Sequence, residues 1–183
     1  MFDCPDFNEP DFETLTMTRM LAQLAGVLGE HDGPATLMGS SLGGTLAVLA
    51  ASRFPDRVNR LVLMAPAVMF AKPGHHLLPP DRIQSWRERG ALPFFHYAYG
   101  EERPLGVTFY EDSLRYDVFN AAIDQPTLVF QGRRDASVPA ETVKAFAATR
   151  PNIALTLLDD DHQLTASLPA MWQEVSRFLG LPA

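Results

Sequence analysis

The chain has 183 residues, of which 46% are hydrophobic and 20% charged, and this composition predicts one ordinary globular domain. Its formal net charge of −7 and isoelectric point near 5.1 argue against a polyanionic partner, so we expect no nucleic-acid binding. Cys4 is the only cysteine in the sequence, which excludes an intramolecular disulfide and fits a reducing compartment.

The first part of the chain predicts alternating strands and helices. Residues 3–7 have the pattern of a strand end, and residues 14–29 carry apolar side chains at helical spacing. Residues 35–38 predict the end of a buried strand, and residues 44–54 a helix that is apolar on nearly every face. Residues 58–65 are apolar enough for a strand that is buried on both faces, as parallel strands are.

The alternation then stops, because residues 72–123 mix prolines, aromatic residues and charges without a long repeating period. We interpret this stretch as a cap, inserted over about residues 70–123. Within it, residues 79–81 predict the start of a short helix. Residues 94–99 and 107–110 predict the two strands of a hairpin.

Regular alternation returns in the last third of the chain. Residues 127–130 predict a strand, Pro139 opens a helix, residues 153–158 predict another strand, and an apolar helix follows. Strands that alternate with helices predict the α/β fold class, a mostly parallel sheet flanked by helices. We expect the whole chain to form a single domain that carries the cap as an insertion.

The pentapeptide Gly39-Ser40-Ser41-Leu42-Gly43 lies between a predicted strand and a predicted helix. At such a sharp turn the serine backbone is strained, and the glycines remove Cβ atoms that would clash. The following helix directs free N–H groups and its positive dipole end at the same place, which suits an oxyanion. Ser41 is therefore a candidate nucleophile. The alternative is that both glycines only allow the helix to pack closely on the strand.

Polar residues directly follow the last two predicted strands, at the sheet edge where ligand sites of parallel sheets lie. Asp135 ends the segment 131–135, and His162 follows the acidic run 159–161. Ser41, Asp135 and His162 thus occur in the order nucleophile, acid, base. His162 would take the proton of Ser41, and Asp135 would fix the imidazole tautomer. Taken alone, Asp135 also fits a turn former after a glycine.

Other polar residues predict no metal site and no cofactor. The pair His75 and His76 has no carboxylate or cysteine nearby to complete a ligand set. The acidic run 159–161 lacks the glycine and the terminal glutamate of a calcium loop, and we interpret it as a solvated strand end. Gln131 and Asp161 are neighbours of the predicted site to which no role is assigned.

The sequence also argues against a membrane protein. Its longest apolar run, residues 61–71, is too short to span a bilayer. Residues 2–6 lack the basic start of a signal peptide. We therefore expect a cytoplasmic location.

With these motifs the chain resembles the α/β-hydrolase superfamily, in particular its short bacterial esterase and thioesterase-like members with a modest cap. The resemblance covers nearly the whole chain. It rests on the G-x-S-x-G pentapeptide, on the segment 132–135, on His162, and on the segment 54–58 before the strand that ends at residues 64–66.

The resemblance implies a serine hydrolase that cleaves an ester or thioester of a small molecule through an acyl-enzyme, without a cofactor. It implies that Ser41, Asp135 and His162 form the triad and that the backbone N–H of Leu42 is an oxyanion donor. Acyl transfer and carbon–carbon bond hydrolysis by the same triad stay open. Aromatic residues of the cap are candidates to line an acyl or small aromatic pocket, or else to pack within the cap: Phe70, Trp86, Phe94, Phe95 and Phe109.

The front of the chain departs from the family pattern. The family's second oxyanion donor lies in a loop with a His-Gly pattern after an earlier strand, and this sequence has no such segment. If residues 3–7 match the fourth family strand, the first three strands and the first helix lie upstream of Met1. We therefore expect a fragment of a longer hydrolase. An exposed apolar strand before Ser41 would then favour homo-oligomers, or a catalytically silent domain that binds another chain.

Overall fold

The computed structural model describes residues 12–70, 72, 78–96 and 99–181. The predicted strand at residues 3–7 lies outside the described residues. The described residues group into two compact units, the first drawn from the ranges 12–30 and 70–117 and the second from 31–69 and 118–181. None of the described helices is both long enough and apolar enough to cross a membrane.

The helices and strands alternate along most of the chain. In order they are α1 (Met17–Glu30), β1 (Ala35–Ser40), α2 (Leu42–Arg53), β2 (Val58–Met64), α3 (Pro80–Arg89), β3 (Ala91–His96), β4 (Glu101–Gly106), α4 (Val107–Ser113), β5 (Thr127–Gly132), α5 (Ala140–Ala148), β6 (Ile153–Leu158) and α6 (Leu168–Leu179).

The second unit contains a parallel sheet whose described strands run in the order β1-β2-β5-β6. Ser40 pairs with Met64, Met64 with Phe130, and Gly132 with Leu158. The strands therefore end near one another, and the loops that follow them share one edge of the sheet. This arrangement confirms the predicted fold class.

The core of the second unit explains why β2 and β5 are so apolar. Val62, Leu128 and Phe130 of the sheet pack in one cluster with Met171 and Val175 of α6. All six residues of β5 are buried, as expected for a central parallel strand. The four apolar positions of α6 that face this cluster recur at helical spacing, and the predicted helix is confirmed there.

Strand β1 is an edge of the described sheet. Among the described strands it pairs with β2 alone, so one side of its backbone has no strand partner in that part of the chain. The prediction that residues 35–38 are buried is wrong, because at this edge the side chains of β1 are mostly half-buried or exposed, and Met38 is 49% exposed. Edge strands with apolar side chains favour pairing with another chain.

The first unit corrects one prediction about the cap. The hairpin is formed by β3 and β4, which pair antiparallel with His96 opposite Glu101. Residues 107–110, predicted as its second strand, instead begin the helix α4. In helical form Phe109, Tyr110 and Ser113 are all buried on one side, so packing overrides the strand preference of these residues.

Other parts of the first unit follow the sequence pattern. Helix α3 begins at Pro80 and buries Ile83 and Trp86, as predicted. Helix α1 is joined to the region of α4 through Thr18, whose backbone N–H and hydroxyl both donate to the Asp112 carboxylate at 2.7 Å. Helix α1 and the cap segment therefore share contacts within one compact unit.

Candidate active site

Ser41 lies at a strained turn between β1 and α2. Its backbone has φ 50° and ψ −114°, a conformation that non-glycine residues rarely adopt. Two glycines near it, Gly39 and Gly44, are required by close backbone approach, whereas a Cβ on Gly43 would meet nothing within 4 Å among the described residues. A Cβ on Gly39 would clash with the Gly43 carbonyl, and a Cβ on Gly44 would lie 2.8 Å from Cβ of Pro66. The alternative, that Gly39 and Gly43 only allow the helix to pack closely on the strand, therefore fits Gly39 but not Gly43.

Backbone hydrogen bonds fix this turn to the neighbouring strand. The Ser41 N–H donates to the carbonyl of Met64 at 2.8 Å, and the Ser41 carbonyl accepts from the N–H of Ala67 at 3.2 Å. The turn is therefore held at the end of β2. Within the described residues the Ser41 hydroxyl makes no hydrogen bond, so its side chain is not used as a helix cap.

Asp135 and His162 are in direct contact, as the sequence order predicts. Nδ1 of His162 lies 2.8 Å from Oδ2 of Asp135, although 27 residues separate them. The Asp135 side chain is fully buried, whereas that of His162 is 18% exposed. Burial of a carboxylate is costly unless hydrogen bonds replace its water. The other oxygen, Oδ1, accepts from the backbone N–H groups of Ser137 at 2.8 Å and Val138 at 2.7 Å.

The loop that carries His162 is organised by Asp160. Its carboxylate accepts from the backbone N–H of Asp161 at 2.9 Å and from that of Ser167 at 2.9 Å, and its carbonyl accepts from the N–H of Arg134 at 3.0 Å. Hydrogen bonds from the Ser167 side chain, followed by the Asp161 backbone, hold the pKa of Asp160 below its usual value. The side chain thus ties the start of this loop to its end.

Sequence reasoning missed this role of Asp160. The interpretation of residues 159–161 as a solvated strand end is wrong for the middle residue, which is only 5% exposed. Nothing in the sequence distinguishes Asp160 from Asp159 and Asp161, because the distinction arises from the path of the loop. Gln131, which the sequence placed near the site, contacts Asp135 directly, with Nε2 3.0 Å from Oδ2.

The predicted site residues fall into two groups. Ser41, Leu42, Asp135 and His162 all belong to the second unit and follow the carboxyl ends of its strands. Of these four, Asp135 and His162 are joined by a hydrogen bond. The five aromatic candidates for substrate binding belong to the first unit: Phe70, Trp86, Phe94, Phe95 and Phe109.

The aromatic candidates differ in how far each side chain is buried and which side chains it contacts. Trp86 is fully buried, its Nε1–H donates to the carbonyl of Leu105 at 2.8 Å, and its ring lies 4.8 Å from that of Phe94. Phe109 is buried and lies 5.5 Å from Phe70. Phe95 is 52% exposed. Trp86 therefore acts first as a core residue of the first unit.

Comparison with known proteins points to one family. The model of the alpha/beta hydrolase family matches residues 1–182. Est1E from Butyrivibrio proteoclasticus, solved with ferulic acid bound, is similar over 91% of this chain and 69% of its own, with a TM-score of 0.76 and 23% identity. Alpha/beta hydrolase domain-containing protein 10 from mouse is similar over 91% and 70%, with a TM-score of 0.74 and 20% identity. At these identities both likenesses show the fold alone.

A shorter match is found in a protein from Teredinibacter turnerae, the biotin biosynthesis bifunctional protein BioHC. It is 41% identical to this chain over 71 residues. The match spans 38% of this chain and 12% of BioHC, so the chain covers a small part of that relative.

Proposed function

Because this chain belongs to the alpha/beta hydrolase family, we propose that it is a serine hydrolase that cleaves a carboxylic ester or thioester through an acyl-enzyme on Ser41. Asp135 and His162 complete the proposed triad. The observation that carries the proposal is the 2.8 Å contact between His162 Nδ1 and the buried Asp135 carboxylate. Asp135 and His162 lie in loops at the same sheet edge as the strained turn of Ser41, which supports a common site.

The contact with Asp135 supports a tautomer of His162 that suits a general base. A carboxylate oxygen only accepts hydrogen bonds, so Oδ2 of Asp135 selects the tautomer in which Nδ1 of His162 carries the proton. The other ring nitrogen, Nε2, then keeps a lone pair and can accept a proton from Ser41. The buried carboxylate also stabilises the imidazolium that forms when this proton arrives.

The reaction proceeds in two halves. The Ser41 oxygen bonds to the substrate carbonyl carbon while its proton passes to Nε2 of His162. As the carbonyl re-forms, the bond to the alcohol or thiol portion breaks and His162 gives the proton to that leaving group. Water then attacks the acyl-enzyme in the same way, with His162 taking its proton, and the carboxylic acid leaves as the proton returns to Ser41.

Negative charge on the carbonyl oxygen is proposed to be stabilised by the backbone N–H of Leu42. Leu42 is the first residue of α2, where N–H groups have no acceptor within the helix. The positive end of the α2 dipole lies at the same position. This role is the one that the family resemblance assigns to the residue after the nucleophile.

For the acyl portion we propose an apolar or small aromatic group. Est1E, a structural relative, is solved with ferulic acid bound, and this supports testing aromatic esters. Of the five aromatic candidates, Phe95 has the largest exposed fraction and Trp86 the least. Phe95→Ala is therefore the first variant for a substrate-binding role, with KM for a panel of acyl chain lengths as the readout.

A second candidate role is association of two copies through β1. The observation that favours it is the position of β1 at the edge of the described sheet, with Met38 49% exposed. Light scattering after size-exclusion chromatography tests it, with Met38→Lys as the variant, because a lysine on an edge strand opposes pairing. A dimer that becomes a monomer supports this role, and a monomeric parent contradicts it.

The central experiment is labelling with a fluorophosphonate, which reacts with a serine that a working base has activated. The parent chain is compared with Ser41→Ala and with Ser40→Ala, a control one residue away whose side chain is exposed. Hydrolysis of p-nitrophenyl acetate and butyrate is followed on the same samples. We expect labelling and turnover in the parent and in Ser40→Ala, and a fall of about 10⁴-fold or more in Ser41→Ala.

Each result has a defined meaning. A folded parent that is neither labelled nor active contradicts the proposed hydrolase. Labelling that persists in Ser41→Ala assigns the nucleophile to another residue. A chain that is labelled, but whose p-nitrophenyl ester turnover is slow in water and fast with an added alcohol or thiol, favours the acyl-transfer alternative. A substrate with a carbon–carbon bond to the acyl group tests the alternative of carbon–carbon bond hydrolysis.

A further inference from the structure

The amide of Gln131 lies against the carboxylate that holds His162. We propose that Gln131 is a positioning residue of this site: its Nε2–H group fixes the Asp135 oxygen that orients the His162 imidazole. The inference rests on the proposed function, because it assigns a role within the same triad. The sequence pattern assigned no role to Gln131.

The hydrogen bonds of Gln131 converge on the loop that carries Asp135. Nε2 lies 3.0 Å from Oδ2 of Asp135, 3.0 Å from the carbonyl of Val138 and 3.2 Å from the carbonyl of Gly132. The amide therefore holds both ends of the loop as well as the carboxylate between them. Gln131 itself is in β5 and fully buried, so its position is set by the core of the sheet.

Gln131 and His162 share one acceptor atom. Oδ2 of Asp135 lies 3.0 Å from the Gln131 amide nitrogen and 2.8 Å from Nδ1 of His162. Two donors on one oxygen fix the direction of both of its lone pairs. The amide thus restricts the direction from which the imidazole approaches, and with it the direction in which Nε2 of His162 points.

The surroundings of the amide leave one orientation for it. Exchanging the nitrogen and oxygen of Gln131 would place Oε1 against the Asp135 carboxylate and two carbonyl oxygens, all of which are acceptors. In the observed orientation Oε1 is buried and has no hydrogen-bond partner among the described residues. A buried polar atom without a partner lowers stability. What distinguishes Gln131 is the acceptor of its amide, the Asp135 carboxylate that also contacts His162.

The test uses one variant that keeps the length of the side chain and one that keeps the amide. Gln131→Met removes the donor, and Gln131→Asn keeps an amide but withdraws it by one methylene. The matched control is Gln125→Met, because Gln125 is also buried in the second unit, also has an unpartnered Oε1, and donates only to a backbone carbonyl, that of Ala51. Circular dichroism establishes that each variant is folded.

Two readouts separate positioning from general stability. One is kinetic: the rate of fluorophosphonate labelling at Ser41, and kcat and KM for p-nitrophenyl butyrate. The other is independent of activity: the downfield imidazole N–H proton of His162 in the NMR spectrum, assigned by its loss in His162→Gln. We expect Gln131→Met to lower kcat about 10- to 100-fold with KM nearly unchanged, and to shift or broaden the imidazole proton.

The outcomes distinguish this inference from the proposed function. An imidazole proton and a kcat that are the same in Gln131→Met, Gln125→Met and the parent overturn the positioning role. Equal losses in both methionine variants overturn it too, since they indicate a shared effect of burial. If the parent is inactive, the proposed function fails, and the imidazole proton alone decides about Gln131. If Gln131→Met does not fold, the same comparison is made with Gln131→Asn, for which an unchanged imidazole proton overturns the role.

Discussion

Gly132 faces the backbone of Asp160 so closely that a Cβ added to it would lie 2.6 Å from the Asp160 carbonyl oxygen. The carbonyl of Asp161 is also in the path of that added atom. This approach joins the end of β5 to the loop after β6. The close approach of the loops that carry Asp135 and His162 therefore requires a residue without a side chain at position 132.

Gly132→Ala is expected to displace the loop of His162 and to lower kcat/KM for p-nitrophenyl butyrate by about 100-fold, the cost of a small misplacement in a catalytic group. Gly33→Ala is the control, because a Cβ at that position would lie within 4 Å of no described atom beyond its own chain neighbours. Steady-state kinetics and the His162 imidazole proton are measured on both variants. Normal activity in a folded Gly132→Ala would contradict the expected displacement.

The strained backbone of Ser41 predicts that the free energy of unfolding depends on which residue replaces the serine. Both Ser41→Gly and Ser41→Ala remove the hydroxyl, but only glycine adopts φ 50° without steric cost. We expect Ser41→Gly to be more stable than Ser41→Ala by about 1 kcal/mol in urea unfolding. The same pair of changes at Ser40, which does not have a positive φ, should give the opposite order. Equal stabilities at residue 41 would argue against strain at the turn.

Asp160 predicts a defined pH dependence of stability. Its folded-state pKa is lowered by hydrogen bonds, those from Ser167 first and then that from Asp161, so the ionised form stabilises the fold. This contribution is complete above the unfolded pKa of about 3.9 and is lost as the pH falls through the lower folded-state value. Asp160→Asn should therefore be less stable than the parent at pH 7, and the difference should shrink below about pH 4. Urea midpoints at pH 7, 5, 4 and 3 measure it, and a constant difference would contradict the assignment.

His96 predicts a stabilising substitution in the first unit. It is buried, and neither ring nitrogen has a hydrogen-bond partner among the described residues. Its ring packs 4.8 Å from Phe12 and 4.7 Å from Tyr99. His96→Phe keeps these contacts and removes two unpaired polar atoms, so we expect a gain of about 1 kcal/mol. Thermal unfolding beside His31→Phe, an exposed control, measures it, and a lower midpoint for His96→Phe would refute the explanation.

The sequence was sufficient wherever the pattern is local. Strand β6 and helix α6 were predicted from apolar spacing alone, and the turn at Ser41 from its two glycines. The contact of Asp135 with His162 was predicted from the rule that loops after parallel strands share one edge of the sheet. The strand, the helix and the turn thus follow from neighbouring residues in the chain, and the contact follows from the order of the strands.

Long-range packing determined what the sequence did not predict. Residues 107–110 have strand-forming side chains, yet they are helical, with Phe109 packed 5.5 Å from the ring of Phe70 and Tyr110 packed 6.1 Å from that of Trp86. The role of Asp160 in holding the His162 loop, and the role of Gln131 as a donor to Asp135, depend on loops that meet only in the folded sheet. The grouping of α1 with the cap segment likewise rests on contacts between residues far apart in the chain, such as Thr18 and Asp112.

The pairing of β2 with β5 has a consequence for how the chain folds. Strands β1 and β2 are close in sequence, as are β5 and β6, but β2 and β5 meet across residues 65–126. Ser41 belongs to the first pair, whereas Asp135 and His162 follow the second. Pairings that close long loops form slowly. If Ser41 is labelled as proposed, recovery of labelling during refolding would thus follow the pairing of β2 with β5, which brings Ser41 to the same sheet as Asp135 and His162.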